Sequence, residues 1–163
     1  MPNQLSIPAG VSACAVANTA KEAAFRIDYP LAAARNTRVV ALDAAAESIV
    51  RTAAAEEWGQ ARFYSTTDPG PEVVTMDGDA LQLAGEVAES NTVVMVATNG
   101  ENAEAAATIG AACKVRGIMT AGLVVTPGRL TSDALFALRP HARILLVPAE
   151  PDDLFALLRA IRA

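Results

Sequence analysis

A polar loop, residues 98–102, follows the most apolar run of the sequence, Thr92–Ala97. Gly100 gives its backbone the freedom for a tight turn, and the helix expected after it would present free N–H groups on which a phosphate could bind. Glu101 and Glu104 lie where that helix begins, however, and would repel an anion. The loop therefore favours a hydroxyl-rich or cationic ligand over a bare phosphate.

The same loop has a purely structural interpretation. Thr98 and Glu101 have the spacing of a capping box, in which both side chains bond to the backbone at the start of a helix. The segment would then be a well-capped turn between a strand and a helix, without a ligand. Both hypotheses remain open.

Two further polar positions follow earlier apolar runs. The loop at Asn18, Thr19 and Lys21 contains no glycine, so close approach of its backbone to a pyrophosphate is not expected. Lys21 could hold an anion as a point charge or could simply be solvated. Asp43 ends another strand, where it could bind ribose hydroxyls or start the next helix.

We expect these loops to meet at one edge of the protein, because parallel strands bring their carboxyl ends together and ligands usually bind there. The turn 126–128, Thr-Pro-Gly, follows a further strand. The residues predicted to bind a ligand are Asn18, Thr19, Lys21, Asp43, Thr98, Asn99, Gly100, Glu101, Thr126 and Gly128.

The rest of the chemical inventory favours binding over catalysis. His141, the single histidine, is expected at the opposite edge, and Cys14 and Cys113 are typical of small core residues. We find no P-loop, GxSxG or HExxH motif and no metal-ligand spacing. No catalytic residue, metal or cofactor is therefore assigned, although catalysis stays open.

Composition excludes several classes of partner. The chain has 163 residues and a net charge of −5, which argues against binding nucleic acid or an anionic membrane surface. No apolar run is long enough to span a bilayer, and the first residues lack the features of a signal peptide. We expect a cytoplasmic protein.

Apolar runs and helical segments alternate along the sequence. Strands are predicted at residues 11–17, 37–42, 61–65, 92–97, 122–125 and 143–147, with 72–76 either a strand or a linker. Helices are predicted from residue 20 to about 34, over 44–57, from Asp77 to about Glu89, after residue 100, from about residue 131 and from Pro151 to the end. This alternation predicts one α/β domain over residues 1–163, a three-layer Rossmann-like fold with a mostly parallel sheet.

The segments VVMVATNGENAEAA, GLVVTPG and ILLVPAEPDDLFALL resemble the nucleotide-binding domain of the FtsZ/tubulin superfamily in their order. That resemblance implies a nucleotide site in which the phosphate loop is reduced to a single Gly100 next to the acids Glu101 and Glu104. The loop after Thr92–Ala97 also resembles that of sugar-isomerase-type domains, which implies a phosphosugar.

The preferred hypothesis is a noncatalytic protein that binds a small ligand or a partner protein, as an accessory, regulatory or assembly component. Self-association is expected, since it is common for such small domains. The alternative is a nucleotide- or phosphosugar-binding enzyme domain using the same crevice, with Lys21, Asp43, Thr98 and Asn99 as contacts. A third possibility is an assembly component whose loops bind nothing.

Overall fold

Apolar runs become buried strands of a single sheet. The computed structural model describes residues 33–66, 72–126, 128 and 132–163. In this part of the chain seven strands form the sheet, in the order β4-β3-β2-β1-β5-β6-β7. They are β1 (Thr37–Ala41), β2 (Arg62–Ser65), β3 (Glu72–Thr75), β4 (Ala80–Gln82), β5 (Thr92–Ala97), β6 (Met119–Val125) and β7 (Ile144–Ala149).

Five of these strands are parallel. They are β2, β1, β5, β6 and β7, whereas β3 and β4 pair antiparallel at one side. Numbered among themselves along the chain, the parallel strands have the order 2-1-3-4-5, which is that of flavodoxin-like sheets. The prediction of a mostly parallel α/β sheet is confirmed.

Helices cover both faces of the sheet. The described residues contain α1 (Ala44–Ala54), α2 (Leu83–Ala88), α3 (Ala103–Arg116), α4 (Ser132–Leu138) and α5 (Pro151–Ile161). Successive side chains of a strand point to opposite faces. Val39 accordingly packs in the core shared with α1 and α5, and Val40 in the core shared with α2, α3 and α4. The three-layer architecture is confirmed.

The start predicted for the helix at Asp77 is wrong, because residues 77–79 turn a hairpin between β3 and β4, although a helix that ends near Glu89 is present. Gly78 has φ of +100°, and its N–H donates to the Thr75 carbonyl at 2.9 Å. The Asp79 N–H donates to Thr75 Oγ1 at 3.0 Å. An Asp-Gly pair between short strands is a strong hairpin signal, and the helix begins only at Leu83.

Predictions for the first residues are not tested. The predicted strand at 11–17 and nearly all of the helix predicted from residue 20 lie outside the described residues. Residues Ala34–Ala163 form one compact unit, so a single domain over 1–163 stays a prediction. No helix among the described residues is long and apolar enough to cross a membrane.

A buried ionic cluster attaches α2 to the sheet. The side chain of Arg38 on β1 is 2% exposed, and its Nε donates to Glu86 Oε2 at 3.0 Å. The Tyr64 hydroxyl on β2 donates to the same oxygen. Burial, reinforced by this hydrogen bond, raises the pKa of Tyr64 well above its usual range. One carboxylate thus holds two strands and a helix together.

Replacing Glu86 by glutamine tests this cluster. The change leaves the buried guanidinium with only the largely exposed Glu89 carboxylate, 3.8 Å away, as a counter-charge. We therefore expect the free energy of unfolding, measured with urea, to fall by about 3 kcal/mol. Glu56→Gln is the matched control, because Glu56 pairs with Arg159 at 3.0 Å where both side chains are largely exposed. It should cost less than about 1 kcal/mol. Equal losses in the two variants would contradict this account.

Candidate functional site

Asp43, directly after β1, is held by the polar loop that follows β5. The residue is 4% exposed, and its Oδ1 accepts the Thr98 hydroxyl at 2.7 Å and the Ala46 N–H at 2.8 Å. Its Oδ2 accepts the N–H groups of Thr98 at 2.7 Å and Asn99 at 3.3 Å. Asp43 is the N-cap of α1 and also fixes the 98–102 loop.

These bonds lie where the chain direction across the sheet reverses, between β1 and β5. Ligands of flavodoxin-like sheets bind at that point. Here the Asn102 side-chain amide also donates to the Leu42 carbonyl, and the Thr66 hydroxyl donates to the Ala41 carbonyl at 3.0 Å. The polar groups at the reversal point are therefore engaged with one another.

The capping box predicted from Thr98 and Glu101 is wrong, because the Thr98 hydroxyl bonds to Asp43 instead. Helix α3 begins at Ala103 with Asn102 as its N-cap, and Asn102 makes no side-chain capping bond. The Glu101 N–H donates to Asn99 Oδ1 at 3.0 Å, which makes a local turn.

Gly100 has a packing role as well. A Cβ atom at this position would lie 2.7 Å from Asp133 Cβ and 2.9 Å from the Asp133 carbonyl carbon. Contacts that close do not occur, so only glycine allows the loop to approach the first turn of α4.

A cavity of about 560 Å³ lies beside this loop, at the carboxyl ends of β5, β6 and β7. We call it the carboxyl-edge cavity. Its polar lining residues are Thr98, Thr126 and Glu150, and its walls are Ala45, Ile49, Val125, Ala149 and Pro151. Its volume is in the range of sites for small molecules.

An irregularity in strand pairing shapes one wall of the cavity. Leu123 pairs with Leu146, whereas Val125 pairs with Ala149, so β7 has one residue more than β6 over this stretch. Pro148 lies in the inserted stretch, and a proline has no N–H to give to the ladder. The shift places Ala149 beside Val125, where both line the cavity.

The side chain of Thr126 contains a buried polar atom. Its Oγ1 is buried and has no hydrogen-bond partner in the described part of the chain. Buried polar atoms in proteins are nearly always paired, so an unpaired hydroxyl on a residue that lines a cavity is a candidate contact for a bound molecule or water.

The predicted site residues are brought together only in part. Thr98 and Thr126 line the carboxyl-edge cavity, and Asn99, Gly100 and Glu101 belong to the loop beside it. Gly128 is exposed. Asn18, Thr19 and Lys21 lie outside the described residues.

Sequence reasoning missed other lining residues, which are Ala45, Ile49, Ala149, Glu150 and Pro151. Glu150 and Pro151 directly follow β7. The rule that selected Thr98 and Thr126, a polar residue after a parallel strand, would have found Glu150 too. The apolar residues carry no such signal.

The histidine and the described cysteine are away from this cavity. His141 precedes β7, at the amino ends of the strands, as predicted. Cys113 on α3 is fully buried, and burial raises the pKa of its thiol to about 11, an effect that the nearby Arg116 partly offsets. Cys14 lies outside the described residues.

Together, the strand order and the three layers define a flavodoxin-like α/β domain. No protein-family model matches the sequence, and no curated protein does. One solved structure matches, a response regulator receiver domain protein (CheY-like) from Methanospirillum hungatei JF-1. It is 15% identical with a TM-score of 0.39, over 77% of this chain and 92% of that chain.

The resemblance to the FtsZ/tubulin nucleotide-binding domain is wrong. The solved structure that matches is a receiver domain and not a member of that superfamily. The apolar runs that suggested the resemblance are those of parallel strands buried on both faces, which many α/β folds share. The loop taken for a reduced phosphate loop is bonded to Asp43.

Asp43→Asn tests the anchoring of the loop. An amide offers one acceptor oxygen where the carboxylate offers two, and it loses the charge that strengthens these bonds. We expect the free energy of unfolding to fall by about 2–3 kcal/mol in urea titrations. Thr98→Val, which removes one of the four donors, should cost about 1 kcal/mol. An unchanged stability of Asp43→Asn would contradict the anchoring role.

Thiol labelling tests the burial of Cys113. In a Cys14→Ser background Cys113 is the remaining thiol, and its raised pKa keeps it protonated at pH 8. We expect the native protein to react with a disulfide reagent at least roughly a hundredfold more slowly than the urea-unfolded protein, because the thiolate is the reactive form. Comparable rates would show that Cys113 is accessible.

Proposed function

We propose that this chain is a noncatalytic binding domain, which holds a small hydrogen-bond-donating ligand in the carboxyl-edge cavity and acts as an accessory or regulatory component. The observation that carries the proposal is that Thr126, a residue of the cavity wall, has a buried Oγ1 without a hydrogen-bond partner in the described part of the chain. A polar group of a ligand would satisfy that hydroxyl, which can accept or donate.

Thr98 gives the cavity a preference for ligand groups that donate hydrogen bonds. Its hydroxyl donates a hydrogen bond to Asp43 Oδ1, since an ionised carboxylate can only accept. The Thr98 oxygen therefore has only lone pairs to offer a ligand, and the carboxylate of Glu150 likewise accepts. All three polar groups of the cavity suit O–H or N–H donors, as carried by polyols, nucleosides and amines.

Charge supports an uncharged or cationic ligand. Among the described lining residues of the cavity none is a lysine or arginine, and Glu150 is acidic. A phosphate in the cavity would lose its hydration without gaining a counter-charge, which is costly. This argument weighs against the nucleotide and phosphosugar alternative.

We propose no catalysis because the reactive side chains are engaged in hydrogen bonds, buried, or distant from the cavity. The Asp43 carboxylate is 4% exposed and accepts from the Thr98, Asn99 and Ala46 groups, so it is poorly placed to act as a base. Cys113 is fully buried on α3, and His141 lies at the opposite edge of the sheet. The cavity offers hydrogen-bond acceptors and apolar contacts.

The partner and assembly part of the proposal rests on exposed apolar side chains. Val115 on α3 is 86% exposed and Phe136 on α4 is 69% exposed. Large apolar groups on the surface of adjacent helices suit a protein partner or a second copy of the chain. Self-association and a cytoplasmic location stay predictions, the first of which light scattering can test.

A thermal-shift panel tests the ligand. The panel contains inositol, adenosine and spermidine, set against GTP, NAD and glucose 6-phosphate. We expect a compound of the first group to raise the melting temperature, because saturation at about 100 times Kd stabilises the native state by roughly 2.7 kcal/mol. A rise with spermidine that Glu150→Gln abolishes would identify a cationic ligand.

Thr126→Val is the variant that locates the site. It removes the unpaired hydroxyl at nearly constant volume, so the free protein should stay as stable or gain slightly, while the ligand-induced shift is lost. Thr108→Val is the matched control, since Thr108 is exposed on α3 and its hydroxyl bonds to the Glu104 carbonyl. A shift that only phosphorylated compounds cause, and that Thr126→Val keeps, would favour the enzyme alternative. No shift with any compound would count against a ligand in the cavity.

A further inference from the structure

A second concave surface lies at the opposite edge of the sheet, where the strands begin. It is a pocket of about 410 Å³ between α3, the start of β6 and the loop before β7, and we call it the amino-edge pocket. Its polar lining side chains are Lys114, Thr120, His141 and Arg143.

The charges of this pocket are of one sign. Lys114 and Arg143 are cations, and no aspartate or glutamate is among the described lining residues. Within the described part of the chain, neither takes part in an ion pair. Such a cluster is notable in a chain whose net charge is −5.

Helix stabilisation accounts for only part of the cluster. Lys114 and Arg116 lie in the last turn of α3, where cations complement the helix dipole. Arg143 does not end a helix, because it directly precedes β7. Arg116 shows that a cation can serve the helix end without lining the pocket.

The lining residues are held in place by the backbone around them. The imidazole of His141 packs on α3 at Gly110, where a Cβ atom would lie 2.6 Å from His141 Nδ1. The His141 N–H donates to the Leu138 carbonyl at 3.0 Å. The Arg143 N–H donates to Thr120 Oγ1 at 3.2 Å, which links two of the lining residues. A glycine at position 110 is therefore what allows the histidine to form one wall.

We propose that the amino-edge pocket binds a small, multiply charged oxyanion, such as the phosphate or carboxylate groups of a metabolite. Lys114 and Arg143 supply the charge from two sides, and His141 closes the wall between α3 and β7. An arginine can present two parallel donors to a phosphate or carboxylate, and a lysine acts as a point charge. This site is separate from the carboxyl-edge cavity and does not rest on the proposed function.

Calorimetric titration of the full chain with pyrophosphate and, separately, with citrate tests the site. We expect binding to the wild-type protein at low ionic strength, weakened by added salt because the partly exposed charges are screened. Binding of pyrophosphate alone would identify a phosphate site, and binding of citrate alone would identify a carboxylate site.

Charge-removing variants then locate the binding. Lys114→Gln and Arg143→Gln should each weaken it by about tenfold, which corresponds to about 1.4 kcal/mol. Both side chains are exposed, so the variants should fold normally. Gly110→Ala, which pushes the imidazole away from α3, should weaken binding as well.

Arg116→Gln is the matched control, since it removes one positive charge from the same turn of α3 without touching the pocket. It should change the affinity by less than about twofold. Thr126→Val, in the carboxyl-edge cavity, should leave anion binding unchanged. Equal weakening by Arg116→Gln and Lys114→Gln would overturn the proposal in favour of a diffuse charge effect. Absence of binding by both anions to the wild-type protein would overturn it outright.

Discussion

The buried carboxylate of Asp43 is the contact on which this edge of the protein depends. It receives donors from α1 and from the loop after β5, so it fixes a helix start and a neighbouring loop in one step. Because an ionised carboxylate with four donors is satisfied, it can be 4% exposed without a large desolvation cost. The loop therefore has one arrangement, and the cavity beside it has a defined wall.

At this edge, stabilisation of the fold and the proposed ligand binding lie at different positions. At the reversal point between β1 and β5 the polar groups stabilise the fold. One strand further along, at the ends of β6 and β7, polar groups remain available in the cavity. The extra residue of β7 near Pro148 places Ala149 beside Val125 there. The proposed binding position is thus displaced from the reversal point toward the edge of the sheet.

Much of the fold could be predicted from the sequence because its central strands are buried on both faces. All six residues of Thr92–Ala97 are buried, and all but Thr92 are apolar. The hairpin at Gly78 was missed because Asp-Gly was interpreted as a helix start, although the same pair favours a hairpin turn. The turn is closed by local hydrogen bonds, in which the N–H groups of Gly78 and Asp79 donate to Thr75.

The candidate site was less predictable, for a physical reason. Thr98 and Glu101 satisfy the local rule for a capping box, but Asp43, 55 residues earlier in the chain, competes for the Thr98 hydroxyl and prevails. The Thr98 hydroxyl donates to the charged carboxylate of Asp43, and such a bond is stronger than the neutral bond in which a hydroxyl oxygen accepts from a backbone N–H. The local sequence indicates which residues lie at the carboxyl edge of the sheet. The hydrogen-bond partner of each polar group depends on residues that are distant in the sequence.

The direction of the helices has a consequence for the molecule's electric field. Acidic residues lie in the first turns of α1, α3, α4 and α5, and basic residues lie in the last turns of α1, α3 and α5. Helices that cross between parallel strands run opposite to them, so their N-termini meet at one edge and their C-termini at the other. At both edges these side-chain charges are opposite in sign to the helix dipole ends, so they offset the dipoles and stabilise the helices. Because surface charges are screened by salt, this contribution to helix stability is expected to fall as ionic strength rises.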